Sequence, residues 1–177
     1  IIIHEQTQEV GLANKIATKF AKKICISWAA SEKYFPKQKV LLTGNPIKPT
    51  LLERIKDAKH IDHPIPSILI TGGSQGSHKI NMLVKDALPS LLTHAYVVHQ
   101  TGDAVQFDDF SQLTQLKASL PPDLQKRFTL EKFIAPDAMA SLIANSQLII
   151  CRAGINTITE LLLLKKPALV IPLKDGQ

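Results

Sequence analysis

The sequence predicts an α/β protein built on doubly wound parallel sheets. Short apolar runs recur along the chain, at Ile24 to Trp28, Val40 to Thr43, Ser67 to Thr71, Tyr96 to His99, Phe128 to Glu131, Leu148 to Cys151 and Ala168 to Ile171. Runs that are apolar on both faces are what buried parallel strands require. Helical spacing fills the intervals, as in Leu12, Ile16 and Phe20, and again in Ile80, Val84 and Leu88. Two strand-like runs end in glycine turns that open helical patterns, the second of which carries Ile158, Leu161, Leu162 and Lys165. Strands alternating with helices make βαβ units, hence a parallel sheet with helices on both faces.

Taken in order, Ile1 to Ile3 reads as a buried strand cut from upstream neighbours, and Asp175-Gly176-Gln177 follows another apolar strand. Both ends look like interruptions, so the sequence reads as a fragment. Lys15, Lys19, Lys22 and Lys23 lie on or just after the helix carrying Leu12, Ile16 and Phe20. That pattern fits a plain solvated helix face, or a peripheral contact with anionic lipid headgroups. Composition shifts between Leu42 and Ser67, where Pro46, Pro49, Pro64 and Pro66 fall, as expected of a linker followed by a short helix. The expected organisation is the end of a first α/β domain at 1–42, an interdomain linker at 43–66, and a second, truncated domain at 67–177. His60 and His63 flank the prolines and suggest no specific chemistry.

The chain has 177 residues, 45% of them hydrophobic, enough for a substantial core. Its net charge of +6 suits phosphate-bearing ligands or anionic surfaces. Aromatic residues make up only 5%, and no arginine-rich stretch occurs, so stacking on nucleic acid is not expected. No apolar run reaches the roughly 18–20 residues that span a bilayer, and no signal-peptide pattern is present. Cys25 and Cys151 fall singly in apolar runs, as buried thiols in a reducing compartment would. No Asp-x-Asp metal motif occurs, and Asp108-Asp109 reads as the solvated surface of a helix. His78 and His99 read as loop or helix-end residues rather than ligands.

Two segments carry chemistry. In Ser67-Ile-Leu-Ile-Thr-Gly72-Gly73-Ser74-Gln75-Gly76-Ser77-His78, a strand runs through a glycine-rich turn into a helix. Glycines admit positive φ and a close ligand, while the first amides of the helix are unpaired and partly positive. Together they suit a diphosphate; the same turn can also exist without a ligand. It is neither a Walker A loop nor the G-x-G-x-x-G dinucleotide pattern. The second segment, Cys151-Arg152-Ala153-Gly154 leading to Thr157 and Glu160, repeats the arrangement. Ligands of such sheets sit at the carboxyl ends of strands, where both loops would meet. Glu160, placed in the first turn, could accept both hydroxyls of a ribose. Alternatively Thr157-x-x-Glu160 is a capping box, or Asn156 is the cap and leaves Glu160 available.

These pieces, in this order, resemble the MurG family, the N-acetylglucosaminyltransferases that make lipid II in peptidoglycan synthesis. The matching residues are His4-Glu5-Gln6 with Gly11 to Lys15, Gly44-Asn45-Pro46, Gly72 to Gly76, His99-Gln100-Thr101-Gly102, Phe133-Ile134, Met139-Ala140, and Cys151 to Gly154 with Thr157 and Glu160. They cover nearly the whole chain. The resemblance implies a GT-B glycosyltransferase fold, two Rossmann-like domains facing across a cleft, with UDP-N-acetylglucosamine held mainly by the second. It implies that Gly73, Ser74, Gln75 and Gly76 serve the diphosphate, that Phe133 and Ile134 line a uracil pocket, and that Glu160 binds the ribose. Arg152, Gly154 and Thr157 belong to the same substrate-binding set. Lys48 would neutralise phosphate, and His4 and Glu5 would face the cleft as candidates for catalysis.

By the same resemblance the partners are the sugar nucleotide, a lipid-linked acceptor and the inner face of the cytoplasmic membrane, with no nucleic acid, cofactor or metal. The reaction inverts the anomeric centre and needs a general base. The sequence departs from the family at Thr7, where asparagine is usual, and at Ile47-Lys48, where Val-Arg is usual; lysine lacks the planar fork of arginine. The family's N-terminal glycine loop and histidine are absent. So is most of the segment after Pro172, of which Gln177 would be the first glutamine. Alternatives with the same fold are a UDP-N-acetylglucosamine 2-epimerase, another lipid-linked glycosyltransferase, and a non-catalytic nucleotide-sugar-binding subunit. The fragment alone is expected to bind UDP weakly and not to turn over.

Overall fold

The structure is a computed structural model that describes residues 1–58, 61, 64–103 and 106–172. His60, His63 and Gln177 lie outside the described residues. The chain divides into two compact units, Ile1–Lys48 and Pro49–Gln177.

The first unit is a three-stranded parallel sheet. Strand β1 (Ile2–Glu5) leads through helix α1 (Leu12–Ala17) to β2 (Lys23–Ile26), and two 3-10 turns precede β3 (Val40–Leu42). The order is β1-β2-β3, with Ile3 opposite Ile24 and Ile24 opposite Val40. Ala21, Ile24, Ile26 and Phe35 form its core. Helix α1 buries none of its residues, and Leu12, Ile16 and Phe20 are 75%, 58% and 68% exposed. Their four-residue spacing therefore does not mark a face packed within this unit, and Phe20 falls beyond the helix end.

The second unit begins with helix α2 (Pro49–Lys56), followed by β4 (Ser67–Thr71), α3 (His78–His94), β5 (Tyr96–Gln100), α4 (Asp109–Ser119), α5 (Pro122–Gln125), β6 (Phe128–Glu131), α6 (Pro136–Asn145), β7 (Leu148–Arg152), α7 (Ile155–Leu163) and β8 (Ala168–Ile171). Its five strands are all parallel, in the order β6-β5-β4-β7-β8. The chain winds outward from β4 through β5 to β6, then crosses back to place β7 on β4's other side. That reversal puts a crevice at the carboxyl ends of β4 and β7.

Helices cover both faces of the sheet. Ile80, Val84, Leu88 and Leu92 of α3 pack with Ile68, Ile70, Val97, Leu113 and Phe128. Leu69, Ile134, Ile143, Ile149, Cys151 and Leu161 form the second cluster, which Ile55 of α2 also joins. Arg54 of α2 pairs with Asp137 of α6 at 2.6 Å.

Several local expectations are corrected. Buried on both faces is true of β4, but β3 and β8 are mostly exposed, and Cys25 is half-buried while Cys151 is buried. Edge strands have one uncovered flank, which a run of apolar letters does not disclose. Helix α7 ends at Leu163, with Leu162 67% exposed and Lys165 beyond it at φ 52°. His99 lies within β5 and is fully buried, rather than at a loop or helix end. Asp109 is not solvated surface: it is 4% exposed and bonds to His78 Nδ1 (2.7 Å) and Asn81 Nδ2 (2.8 Å).

Candidate functional site

An open cavity of about 280 Å³ sits at that crevice, lined by Thr71, Gly72, Gly73 and Ser74 from the first glycine turn, Phe133 and Ile134 after β6, and Arg152, Gly154, Thr157 and Glu160 from β7 and α7. Gln100, Met139, Ile143 and Cys151 complete much of its wall. Segments separated by some ninety residues of sequence thus converge on one hollow.

The first turn is held by its own backbone and by its neighbours. The Gly73 amide donates to Thr71 Oγ1 (3.0 Å), and the Gly76 amide to the Gly73 carbonyl (3.1 Å). Among the described bonds the amides of Ser74 and Gln75 are not engaged, and both residues are exposed. Diphosphate oxygens arriving here would meet those amides and the unpaired first amides of α3. Ser77 is the N-cap of α3, and its buried hydroxyl has no hydrogen-bond partner among the described residues. Gly76 (φ 78°) abuts Gly102 (φ 75°) so closely that a Cβ on either would collide with the other's backbone or that of Thr101. The close approach, together with positive φ, is why both positions need glycine. Arg152 Nη1 donates to the Gly76 carbonyl (3.3 Å), tying the end of β7 to the first turn.

The second turn differs from both capping readings. Gly154 is the N-cap of α7, with no side-chain cap bond, so Asn156 and Thr157 lie within the helix and Glu160 in its second turn. Gly154 and Thr157 line the cavity at the start of α7, and Glu160 lines it from one turn further along. Cys151 forms part of the floor; burial raises its thiol pKa, so it is a neutral apolar wall rather than a nucleophile.

Of the other sequence-derived residues, Phe133 is 61% exposed and Ile134 is buried. Gln75 and Gly76 shape the turn without lining the cavity, and Lys48 is exposed at the end of the first unit. In that unit, His4 Nε2 lies 3.2 Å from the Gly44 carbonyl and 3.3 Å from Ser27 Oγ. Glu5 is buried, which by itself would raise its pKa. The amides of Gly11 (3.0 Å) and Thr7 (3.0 Å), the Asn14 amide group (3.1 Å) and the Thr7 hydroxyl (2.7 Å) all donate to it and bring the pKa down to about 2. Thr7, the departure from asparagine, is therefore one of the donors that organise this loop.

A larger cavity of about 390 Å³ lies elsewhere, lined by Asn81, Asp103, Phe107, Asp109, Phe110 and Lys132 among others, and shares no residue with the first. Of its charged groups, Asp109 is held by His78 and Asn81, and Lys132 lies 3.9 Å from Asp103. The smaller hollow, where the glycine turn, the Phe133-Ile134 wall and Glu160 meet at the carboxyl ends of β4 and β7, is the better candidate ligand site.

Residues 67–177 match the model of the glycosyltransferase family 28 C-terminal domain. The chain belongs to glycosyltransferase family 28. The family 28 match spans every segment that lines the hollow. A Lachnospira eligens protein called UDP-N-acetylglucosamine--N-acetylmuramyl-(pentapeptide) pyrophosphoryl-undecaprenol N-acetylglucosamine transferase is 40% identical over 177 residues, covering 98% of this chain and 46% of its own length. A Geobacter sulfurreducens protein of the same name is 35% identical over 175 residues, covering 96% and 45%. The crystal structure of Acinetobacter baumannii MurG superposes with a TM-score of 0.65 at 28% identity, covering 99% of this chain and 46% of that one. The chain spans about half the length of the curated relatives it matches.

Sequence reasoning did not assign a role to Gln100, Thr71 or Ser77. Gln100 stood within a recognisable motif, yet nothing in a linear sequence says that its amide reaches both the glycine turn and Ile134.

Proposed function

We propose that this chain is the donor-binding part of an inverting glycosyltransferase that moves N-acetylglucosamine from UDP-N-acetylglucosamine to a lipid-linked muramyl-pentapeptide, forming lipid II. The observation that carries the reading is the convergence on one hollow of the glycine turn at Gly72, Gly73 and Ser74, the Phe133-Ile134 wall, the Gly154 start of α7 and the Glu160 side chain. The names of the relatives supply the sugar and the acceptor. Residues 1–42 are then the end of an acceptor domain, and 43–66 the connection to the donor domain.

In the reaction, an acceptor hydroxyl oxygen forms a bond to C1 of the sugar. The bond from C1 to the diphosphate oxygen breaks, and UDP leaves with its electron pair. The amides of Ser74 and Gln75 and the first turn of α3 meet the charge that develops on the leaving diphosphate. Gly73 and Gly76 shape that turn, and Arg152 steadies it through Gly76. Phe133 and Ile134 hold the uracil, and Glu160 takes the ribose hydroxyls, with Gly154 and Thr157 forming the wall beside it. Lys48 adds positive charge for phosphate. A base must take the hydroxyl proton. Glu5, with a pKa near 2 and every described bond coming from a donor, is suited to positioning the His4–Thr7 segment rather than to that task.

On this reading the reaction takes place at the cytoplasmic face of the membrane, which the protein reaches peripherally. No helix among the described residues is long and apolar enough to cross a membrane.

Calorimetric titration tests the donor reading. UDP and UDP-N-acetylglucosamine should bind and NAD should not, and Glu160→Ala should weaken UDP by about one to two orders of magnitude. A folded chain that binds neither uridine nucleotide would overturn it.

A further inference from the structure

The motif His99-Gln100-Thr101-Gly102 at the end of β5 takes no part in the mechanism above, yet one of its side chains touches both halves of the site. Gln100 is 3% exposed. Its Oε1 accepts from the Ile134 amide at 2.9 Å, on the wall assigned to the base. Its Nε2 donates to the Gly73 carbonyl at 3.1 Å, in the turn assigned to the diphosphate, and lies 3.3 Å from Thr71 Oγ1. A primary amide carries its donor and its acceptor on separate atoms of one planar neutral group, so it can hold two backbone partners at once. The Thr71 hydroxyl accepts from Gln100 and from the Gly73 amide. Both its acceptor positions are thereby used, which leaves its single proton for a further acceptor.

We propose that Gln100 is a positioning residue that fixes the base wall at Ile134 and the phosphate turn at Gly73 relative to each other, so that nucleobase and diphosphate are recognised as one unit. The inference rests on the donor-site reading. Its physical content is preorganisation. A ligand that spans both subsites gains from having the distance between them set in advance, while a ligand that uses one subsite does not. The neighbouring residues support this assignment. Thr101 and Gly102 bond to the backbone at Glu131 and Lys132, so the end of β5 is itself anchored. The bridge is thus built on the sheet rather than on a loose loop.

The test compares UDP, which spans both subsites, with uridine, which occupies one, by calorimetry and NMR titration on the same protein. Gln100→Leu keeps most of the volume and removes both polar contacts. UDP should weaken by at least about tenfold and uridine by less than about threefold, so that the ratio of the two affinities collapses. Gln100→Glu keeps an acceptor for the Ile134 amide but turns a carboxylate towards the Gly73 carbonyl. Uridine should bind as in the wild type while UDP weakens. Amide exchange at Ile134, slow in the wild type and in Gln100→Glu, should accelerate in Gln100→Leu, which verifies the bridge independently of ligand. An equal loss of UDP and uridine in Gln100→Leu, or unchanged UDP binding in both variants, overturns the inference. Failure of the wild type to bind UDP overturns instead the donor-site reading on which it rests.

Discussion

Acidification should destabilise the second unit through a single buried imidazole. Asn81 Nδ2 donates to the Thr101 carbonyl (3.1 Å) and to Asp109 (2.8 Å), so its Oδ1 accepts, and His99 Nε2 at 2.8 Å must be the donor. His99 Nδ1 then carries a lone pair, buried and without a hydrogen-bond partner among the described residues. Protonating it would leave a charged N–H in the interior with no acceptor among the described residues. Burial accordingly lowers the His99 pKa from 6.5 to about 4, against the opposing pull of Asp109. A base with a folded pKa below its unfolded one binds fewer protons when folded. Stability is therefore unpenalised above pH 6.5, falls as pH drops through 6.5, and levels off below about pH 4. Linkage gives a loss of about 2 kcal/mol between pH 7 and pH 5. That corresponds to a fall in Tm of about 7 °C for a unit of this size. Denaturant melts at pH 7, 6 and 5 on the wild type and on His99→Gln, which retains a donor but does not titrate, measure the difference; NMR of the ring reads the pKa directly. Parallel pH dependences in the two proteins, or a ring pKa near 6.5, would refute the argument.

Two further outcomes follow from the same geometry. Gly76→Ala places a methyl group against Thr101 and Gly102 at a positive φ, so it should cost about 1–3 kcal/mol of stability and weaken UDP by about tenfold or more, read by thermal melts and calorimetry; wild-type affinity would show that the two turns need not touch. In the first unit, Glu5→Gln sets an amide nitrogen among donors and should cost about 2–3 kcal/mol. The stability that Glu5 contributes is present above its ordinary pKa of 4.5 and is lost as pH falls through about 2. Trp28, the only tryptophan, donates to the Gln6 carbonyl at 2.9 Å and reports this loop by fluorescence. An unshifted denaturation midpoint at pH 7 would count against the network.

The residues that made the fold legible are those whose environment is set by the local pattern. Ile80, Val84 and Leu88 follow helical spacing and are all buried on α3, and Ser67 to Thr71 is apolar because β4 is the central strand. The same pattern misleads where burial depends on what lies beyond the strand. Leu169 on β8 and Leu42 on β3 are as apolar as Leu69, yet they are more than half exposed. At the site, the glycine turns and the nearness of Glu160 to the second of them were readable because backbone freedom and sequence proximity are local properties. The roles of Asp109, His99 and Gln100 were not, since each depends on partners 18 to 34 residues away. Asp109 shows why. In sequence it is half of a charged pair at a helix start, for which solvent is the ordinary expectation. In the fold it accepts from Asn81, which also accepts from His99 Nε2 and donates to the Thr101 carbonyl beside the Gly76–Gly102 contact. A carboxylate that reads as surface is therefore part of the support for the glycine turn. That support is polar because the turn's backbone must be held by hydrogen bonds, which apolar packing cannot supply.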